Sequence, residues 1–228
     1  MYSTTVFQAA PACSPGTMVP TRNVRTFARH QQVFGQGDPV RGFYQVLSGA
    51  VRTSKLFADG RRQIDAFHVA GELFGFERGQ QHRSIAEVIR AARIVIYDQS
   101  YLDDGLEFAQ QVLAIAMERS QDHAVLLGRC TAVEKIATFL VDLADRLRSD
   151  VIELSMDRYD IADYVGLTME TVSRTLWQLD RTSLISIAKS RKIWLRDRAR
   201  LEELVPWETR TQCLRCEPSQ VVPFARSA

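Results

Sequence analysis

The run Met156-Asp-Arg-Tyr-Asp-Ile-Ala-Asp-Tyr-Val-Gly-Leu-Thr-Met-Glu-Thr-Val-Ser-Arg-Thr-Leu-Trp-Gln-Leu179 carries two short helical patterns on either side of a tight turn. Ile161, Ala162 and Val165 fall on one face of the first, Gly166 ends it, and Thr168 stands where the second begins. Thr168 makes a good N-cap, because a side-chain oxygen there accepts from an N–H two or three residues on. Val172, Leu176 and Leu179 then recur at helical spacing as a buried stripe. A small residue at a helix crossing (Ala162), a turn glycine (Gly166) and two apolar anchors (Val172, Leu176) are what a helix-turn-helix needs. The segment predicts such a unit near 157–180, with Glu170, Thr171, Ser173 and Arg174 facing outward.

That outward set suits a major groove of double-stranded DNA. Arg174 can give two parallel N–H donors to guanine O6 and N7, Glu170 can accept from a cytosine amino group, and Ser173 can meet thymine or a backbone oxygen. Glu170 and Arg174, four apart, are also spaced for a helix salt bridge worth about a few tenths of a kcal/mol, which would hold Arg174 extended. Glu170, Ser173 and Arg174 are therefore the candidate base-reading residues.

Local charge points the same way. The chain holds 29 basic and 27 acidic residues, a net charge of +2, so whole-molecule charge selects neither nucleic acid nor membrane. Between Glu170 and Arg200, however, eight basic residues face three acidic ones. Ile185 to Leu195 alternates enough to form a hairpin with its tip at Lys189 to Lys192, making the helix-turn-helix a winged one. Thr168, Thr171, Lys189, Arg191 and Lys192 are the candidate phosphate contacts, the commonest kind of protein–DNA contact.

Upstream, Val133, Ile136, Ala137, Leu140, Leu143, Ala144 and Leu147 predict an amphipathic helix over Val133 to Arg148. Before it, residues 101–130 contain no proline, and their only glycines are Gly105 and Gly128. This stretch predicts one long helix, with Gly128 as a place to bend. Leu106, Leu113, Ser120 and Leu127 recur every seven residues, with Ala109, Ala116, His123 and Cys130 three further on. A seven-residue stripe suits pairing with a second copy. The candidate homodimer seam is Leu106, Leu113, Met117, Ser120, Ala124 and Leu127; packing of the same stripe on the chain's own N-terminal half is the alternative.

From Phe27 to Tyr97 the pattern is short apolar runs broken by Gly35, Gly37, Ser48-Gly49, Asp59-Gly60 and Gly71. It predicts an antiparallel sandwich or roll, with Asp59-Gly60 as a two-residue hairpin turn. The class is α+β, divided into a flexible segment (1–24), a β-roll (25–100), the dimerisation helix (101–130), the winged helix-turn-helix (131–205) and a tail (206–228).

With 46% apolar and 25% charged residues the composition is that of an ordinary globular chain. No run approaches the length of a spanning helix, and the first 21 residues lack a signal-peptide core, so a cytoplasmic protein with no membrane partner is expected. Cys13, Cys130, Cys213 and Cys216 are too scattered for a disulfide framework. Cys213 and Cys216 have metal spacing without a second ligand pair, and no metal site is expected. Neither a P-loop nor a nucleophile paired with a base occurs, so an enzyme is not expected.

The chain resembles the CRP/FNR family of bacterial regulators from about Phe27 to Leu204. The resemblance rests on Gly35 and Gly37, Tyr44-x-Val46-x-Ser48-Gly49, Gly71-Glu72-Leu73-Phe74-Gly75, the long helix, and Asp160 to Arg174. It implies a cyclic-nucleotide-binding-like roll. Glu170-x-x-Ser173-Arg174 is similar to the FixK branch. That branch implies TTGA-type palindromic sites, activation through contact with RNA polymerase, and low-oxygen or nitrogen-fixation programmes. In cyclic-AMP-binding relatives a carboxylate takes the ribose hydroxyl; here Phe76 stands in that place, although Arg83 and Ser84 resemble the phosphate-binding pair. Cys13 stands alone where iron–sulfur relatives have a cysteine cluster. No cofactor is expected. A small-molecule module whose C-terminal domain contacts a protein partner is the competing reading.

Overall fold

The computed structural model describes residues 24–77, 79–98, 106–129, 131–188 and 191–205. β1 (Val24–Phe27), β2 (Gln32–Phe34), β3 (Gly42–Leu56), β4 (Arg62–Val69), β5 (Leu73–Phe74) and β6 (Ile85–Asp98) form one antiparallel sheet. Its order is β1-β6-β3-β4, with β2 on β6 and β5 on β3. The helices α1 (Leu106–Arg129) and α2 (Ala132–Leu147) follow. Then come β7 (Val151–Glu153), α3 (Arg158–Val165), α4 (Met169–Arg181), β8 (Ile185–Ala188), β9 (Lys192–Leu195) and α5 (Arg198–Glu203). No helix among the described residues is long and apolar enough to cross a membrane.

Two glycine signals resolve differently from the sequence expectation. Ser48-Gly49 is no turn: β3 runs through it, and its pairing with β6 slips between Val46 and Ser48 and again on to Val51. Gly49 has φ 89°, and a Cβ there would lie 2.3 Å from the Ala91 carbonyl oxygen, so the bulge requires glycine. Asp59-Gly60 does turn the chain, but in a wider loop. The Phe57 N–H donates to the Arg61 carbonyl at 2.9 Å and Gly60 sits at φ 82°, the geometry of a three-residue hairpin loop ending in a left-handed residue.

The roll's own core holds Val46, Val51, Val88 and Ile94, all fully buried, with Phe34, Tyr44 and Phe74. A second core joins the other side of the roll to the helices. Ala50, Ile64, Phe67, Val69 and Ile89 pack with Ile136, Leu140 and Leu143 of α2 and with Ile161, Val172 and Leu176 beyond it. The α1 helix continues through Gly128, and the expected bend lies one turn later. There Thr131 and Glu134 form a capping box that starts α2 afresh.

A polar cluster crosses this second core. Glu72, just before β5, accepts from Arg146 of α2 at 2.9 and 2.8 Å and pairs with Arg119 of α1 at 3.1 Å. Burial alone would raise the Glu72 pKa; Arg146 and Arg119 pull it instead to about 2. His68 lies beside it, buried, with Nε2 3.1 Å from the Thr53 hydroxyl and its ring stacked on Phe74. Burial outweighs the attraction of Glu72 and lowers the His68 pKa from 6.5 to about 4.

A histidine held neutral in the fold contributes stability that is complete above its unfolded pKa and is lost as pH falls from about 6.5 to about 4. His68→Gln should remove that loss. Urea denaturation at pH 7, 6 and 5 should show the wild type falling more steeply, by up to about 1.4 kcal/mol per pH unit below 6.5 and roughly 2 kcal/mol between pH 7 and 5. Parallel slopes for the two proteins would show that His68 does not titrate in this way.

Candidate nucleic-acid interface

The helix-turn-helix is built by three local devices. Asp157 caps α3 by accepting from the Asp160 N–H at 2.8 Å. Gly166 ends α3 at φ 65°, where a Cβ would also press on Leu127 at 3.0 Å. Thr168 caps α4 by accepting from the Thr171 N–H at 3.2 Å, as its place in the sequence predicts. Ala162, Val165, Val172, Leu176 and Leu179 are buried, so the packing stripes are the expected ones.

The outer stripe of α4 carries Glu170, Arg174, Trp177, Gln178 and Arg181, all exposed. Thr171 and Ser173 are half-buried along its edge, and the Ser173 hydroxyl donates to the Met169 sulfur at 3.6 Å. The expected salt bridge between Glu170 and Arg174 is not formed. Hydrogen bonds from its own backbone N–H and from the Thr168 hydroxyl hold the Glu170 carboxylate at the helix start and lower its pKa. A carboxylate there also meets the positive end of the helix dipole. Trp177 was not singled out in the sequence; it stacks under the Arg181 guanidinium at 4.7 Å and extends the same stripe.

The predicted wing forms as β8 and β9, paired from Ile185 with Leu195 to Ala188 with Lys192. A third strand, β7, pairs with the far edge of β9, and was too short to show alternation in the sequence. The Ile187 N–H donates to Asp180 of α4 at 2.9 Å, which ties the wing to the end of that helix. Arg191 and Lys192 are exposed, and Lys192 lies 5.5 Å over the Trp194 ring. Lys189 lies outside the described residues, as do Cys13, Cys130, Cys213 and Cys216.

On α1, Leu113 and Met117 are 54% and 64% exposed, and Ser120 and Ala124 are exposed beside them. The backbone of Leu106 is helical. Leu127 departs from this open face: it is half-buried against the second core. His123 also turns inward, with Nε2 2.8 Å from the Tyr164 carbonyl and its ring stacked on Tyr164 at 4.3 Å. The open part of the stripe is therefore its N-terminal and middle section.

Residues 24–107 match the model of the cyclic nucleotide-binding domain, and residues 134–204 match the Crp-like helix-turn-helix domain. The nitrogen fixation regulation protein FixK of Azorhizobium caulinodans is 44% identical over 191 residues, covering 78% of this chain and 77% of that protein. The chain belongs to the CRP/FNR family. Within it, the FixK of Rhizobium meliloti is 43% identical, over 78% of this chain and 85% of its own. The solved structure of FixK2 from Bradyrhizobium japonicum superposes with a TM-score of 0.75 at 39% identity, over 80% of this chain and 96% of that one. TTHB099, a CRP-family transcriptional regulator from Thermus thermophilus, gives 0.67 at 28% identity, over 79% and 95%. The chain is thus a FixK-type transcription regulator with a DNA-binding helix-turn-helix.

The matched N-terminal domain model is named for a cyclic nucleotide, and the residue standing at the ribose position does not fit one. Phe76 stacks on Phe43 at 5.2 Å where the resemblance calls for a ribose-binding carboxylate. The backbone N–H of Arg83, which the resemblance pairs with a phosphate, already donates to the Glu77 carboxylate at 2.9 Å. His82, next to Arg83, is buried and stacked on Phe34 at 3.7 Å.

Proposed function

We propose that this regulator binds, as a homodimer, a palindrome of TTGA-type half-sites and activates transcription by contacting RNA polymerase, in the cytoplasm, within low-oxygen respiration or nitrogen-fixation control. The observation that carries the reading is the polarity of α4. Its inner stripe is buried, while Glu170 and Arg174 stand exposed on a capped helix of a DNA-binding family, with Ser173 at the edge. Glu170, Ser173 and Arg174 read bases; Thr168, Thr171, Lys189, Arg191 and Lys192 hold phosphates on either side. Pairing of α1 through Leu106, Leu113, Met117, Ser120 and Ala124, without the inward-turned Leu127, would set two copies of α4 about 34 Å apart, one turn of the duplex. The names of the FixK relatives support the physiological part.

Titration of the protein against a duplex carrying two inverted TTGA half-sites, and against the same bases scrambled, tests this. The palindrome should bind at least about a thousandfold more tightly at moderate salt. Equal affinities would refute sequence-specific binding. Transcription from a promoter carrying the palindrome, with purified polymerase, should rise on adding the protein, and a fall would make it a repressor.

A further inference from the structure

The side of α3 away from α4 is clasped by the roll. Asp160, in the first turn of α3, accepts through Oδ1 from Arg52 of β3 and, at 2.9 Å, from Arg62 of β4. Arg62 also donates twice to Asp163 Oδ2, at 2.8 and 2.6 Å. Gln63 donates to the Asp163 backbone carbonyl at 2.7 Å, and Arg52 is steadied from behind by Glu87 at 2.9 Å. The side chains of Arg52 and Asp160 are only 12% and 5% exposed.

Such pairs do little for net stability. Burial raises the Asp160 pKa, with Asp157 adding to it, by more than Arg52 and Arg62 lower it. The shift at Arg62 has the opposite sense, since Asp163 and Asp160 more than restore what burial removes. Asp160 decides the balance, being the deeper group. What a buried charge network does supply is a penalty against packed arrangements that shift one part on the other, because each would leave a charge buried and unpaired. Arg52 and Arg62 lie on the roll and Asp160 and Asp163 on the helix-turn-helix, so the arrangement being held is the orientation of one upon the other.

We propose that Arg52, Arg62, Asp160 and Asp163 are positioning residues that lock the helix-turn-helix onto the roll and thereby set which half-site spacing the regulator accepts. The inference rests on the dimeric, palindrome-reading function proposed above. If each helix-turn-helix is fixed on its own roll, and the rolls are fixed by the paired α1 helices, the two copies of α4 have one separation and one rotation. Changing a spacer by two base pairs turns one half-site by about a fifth of a helical turn, out of reach of a locked pair.

The test uses the full chain and a set of palindromic duplexes with spacers shortened or lengthened by one and two base pairs. The wild type should bind one spacing best and lose at least about tenfold at two base pairs away. Arg62→Ala should flatten that preference to under about threefold. Arg62→Lys, which keeps a positive charge facing both Asp160 and Asp163, should retain most of it, and light scattering should report a dimer throughout. Asp163→Asn, a milder change at the 34% exposed end of the network, should act in the same direction and covers the case in which Arg62→Ala fails to fold. A folded, dimeric variant that keeps the wild-type spacing preference would overturn the lock alone. A wild type that does not prefer the palindrome to scrambled DNA would overturn the functional reading, and the lock with it.

Discussion

Arg146→Met should destabilise the folded chain by about 3–5 kcal/mol at pH 7, read as a large fall in the urea midpoint with the slope unchanged. Arg146 is 14% exposed and bonds Glu72, Asp142 and the Phe67 carbonyl, so one guanidinium joins the roll to α2. Its removal leaves Glu72, itself 12% exposed, as a buried carboxylate whose remaining partners are Arg119 and the Val69 N–H at 3.0 Å, beside a neutral His68. Arg119 is 44% exposed and replaces only part of the lost attraction. Adding Glu72→Gln to Arg146→Met should therefore recover a good part of the loss, since the unpaired charge is removed with its partner. A single variant that loses under about 1 kcal/mol would show that water reaches Glu72 and that the cluster is a surface one.

Charge on the open face of α1 should have the largest effect on DNA. Leu113→Glu with Met117→Glu places four carboxylates in a paired seam where apolar side chains, 54% and 64% exposed in the single chain, would otherwise be covered. Light scattering should then report monomers. The palindrome affinity should fall by at least about a hundredfold, because the second half-site no longer gains from the effective concentration that the first provides. The melting temperature of the monomeric unit should change little, as neither residue belongs to a buried core. A doubly charged protein that remains dimeric would move the seam elsewhere.

The helix-turn-helix was legible in the sequence because everything that makes it is local. Caps, the turn glycine and the apolar stripe all lie within 24 residues, from Met156 to Leu179. The roll was legible as a class but not in detail, because a positive-φ glycine serves a bulge as well as a turn. Gly49 and Gly60 carry the same signal, and only the strand opposite decides between them. On α1 the heptad named a face correctly where nothing else competes for it. At His123 and Leu127 the chain's own C-terminal domain arrives first, from some forty residues further along. The ties between Arg62 and α3 span 98 and 101 residues, and nothing near Arg62 in the sequence marks its partner. The place of Glu170 was found, but its partner was not. A helix start offers a carboxylate two N-terminal donors closer than an arginine one turn away.

The most direct test of base reading by α4 compares Arg174→Ala with Lys192→Ala on matched and scrambled duplexes over a series of salt concentrations. Arg174→Ala should lose about 1–3 kcal/mol on the palindrome, lose discrimination at one guanine, and change little on scrambled DNA. Lys192→Ala should weaken both duplexes by similar factors and lower the salt slope by about one unit, as for one phosphate neutralised. An Arg174→Ala protein weakened equally on every sequence would contradict the account, since Arg174 would then be holding backbone rather than reading a base.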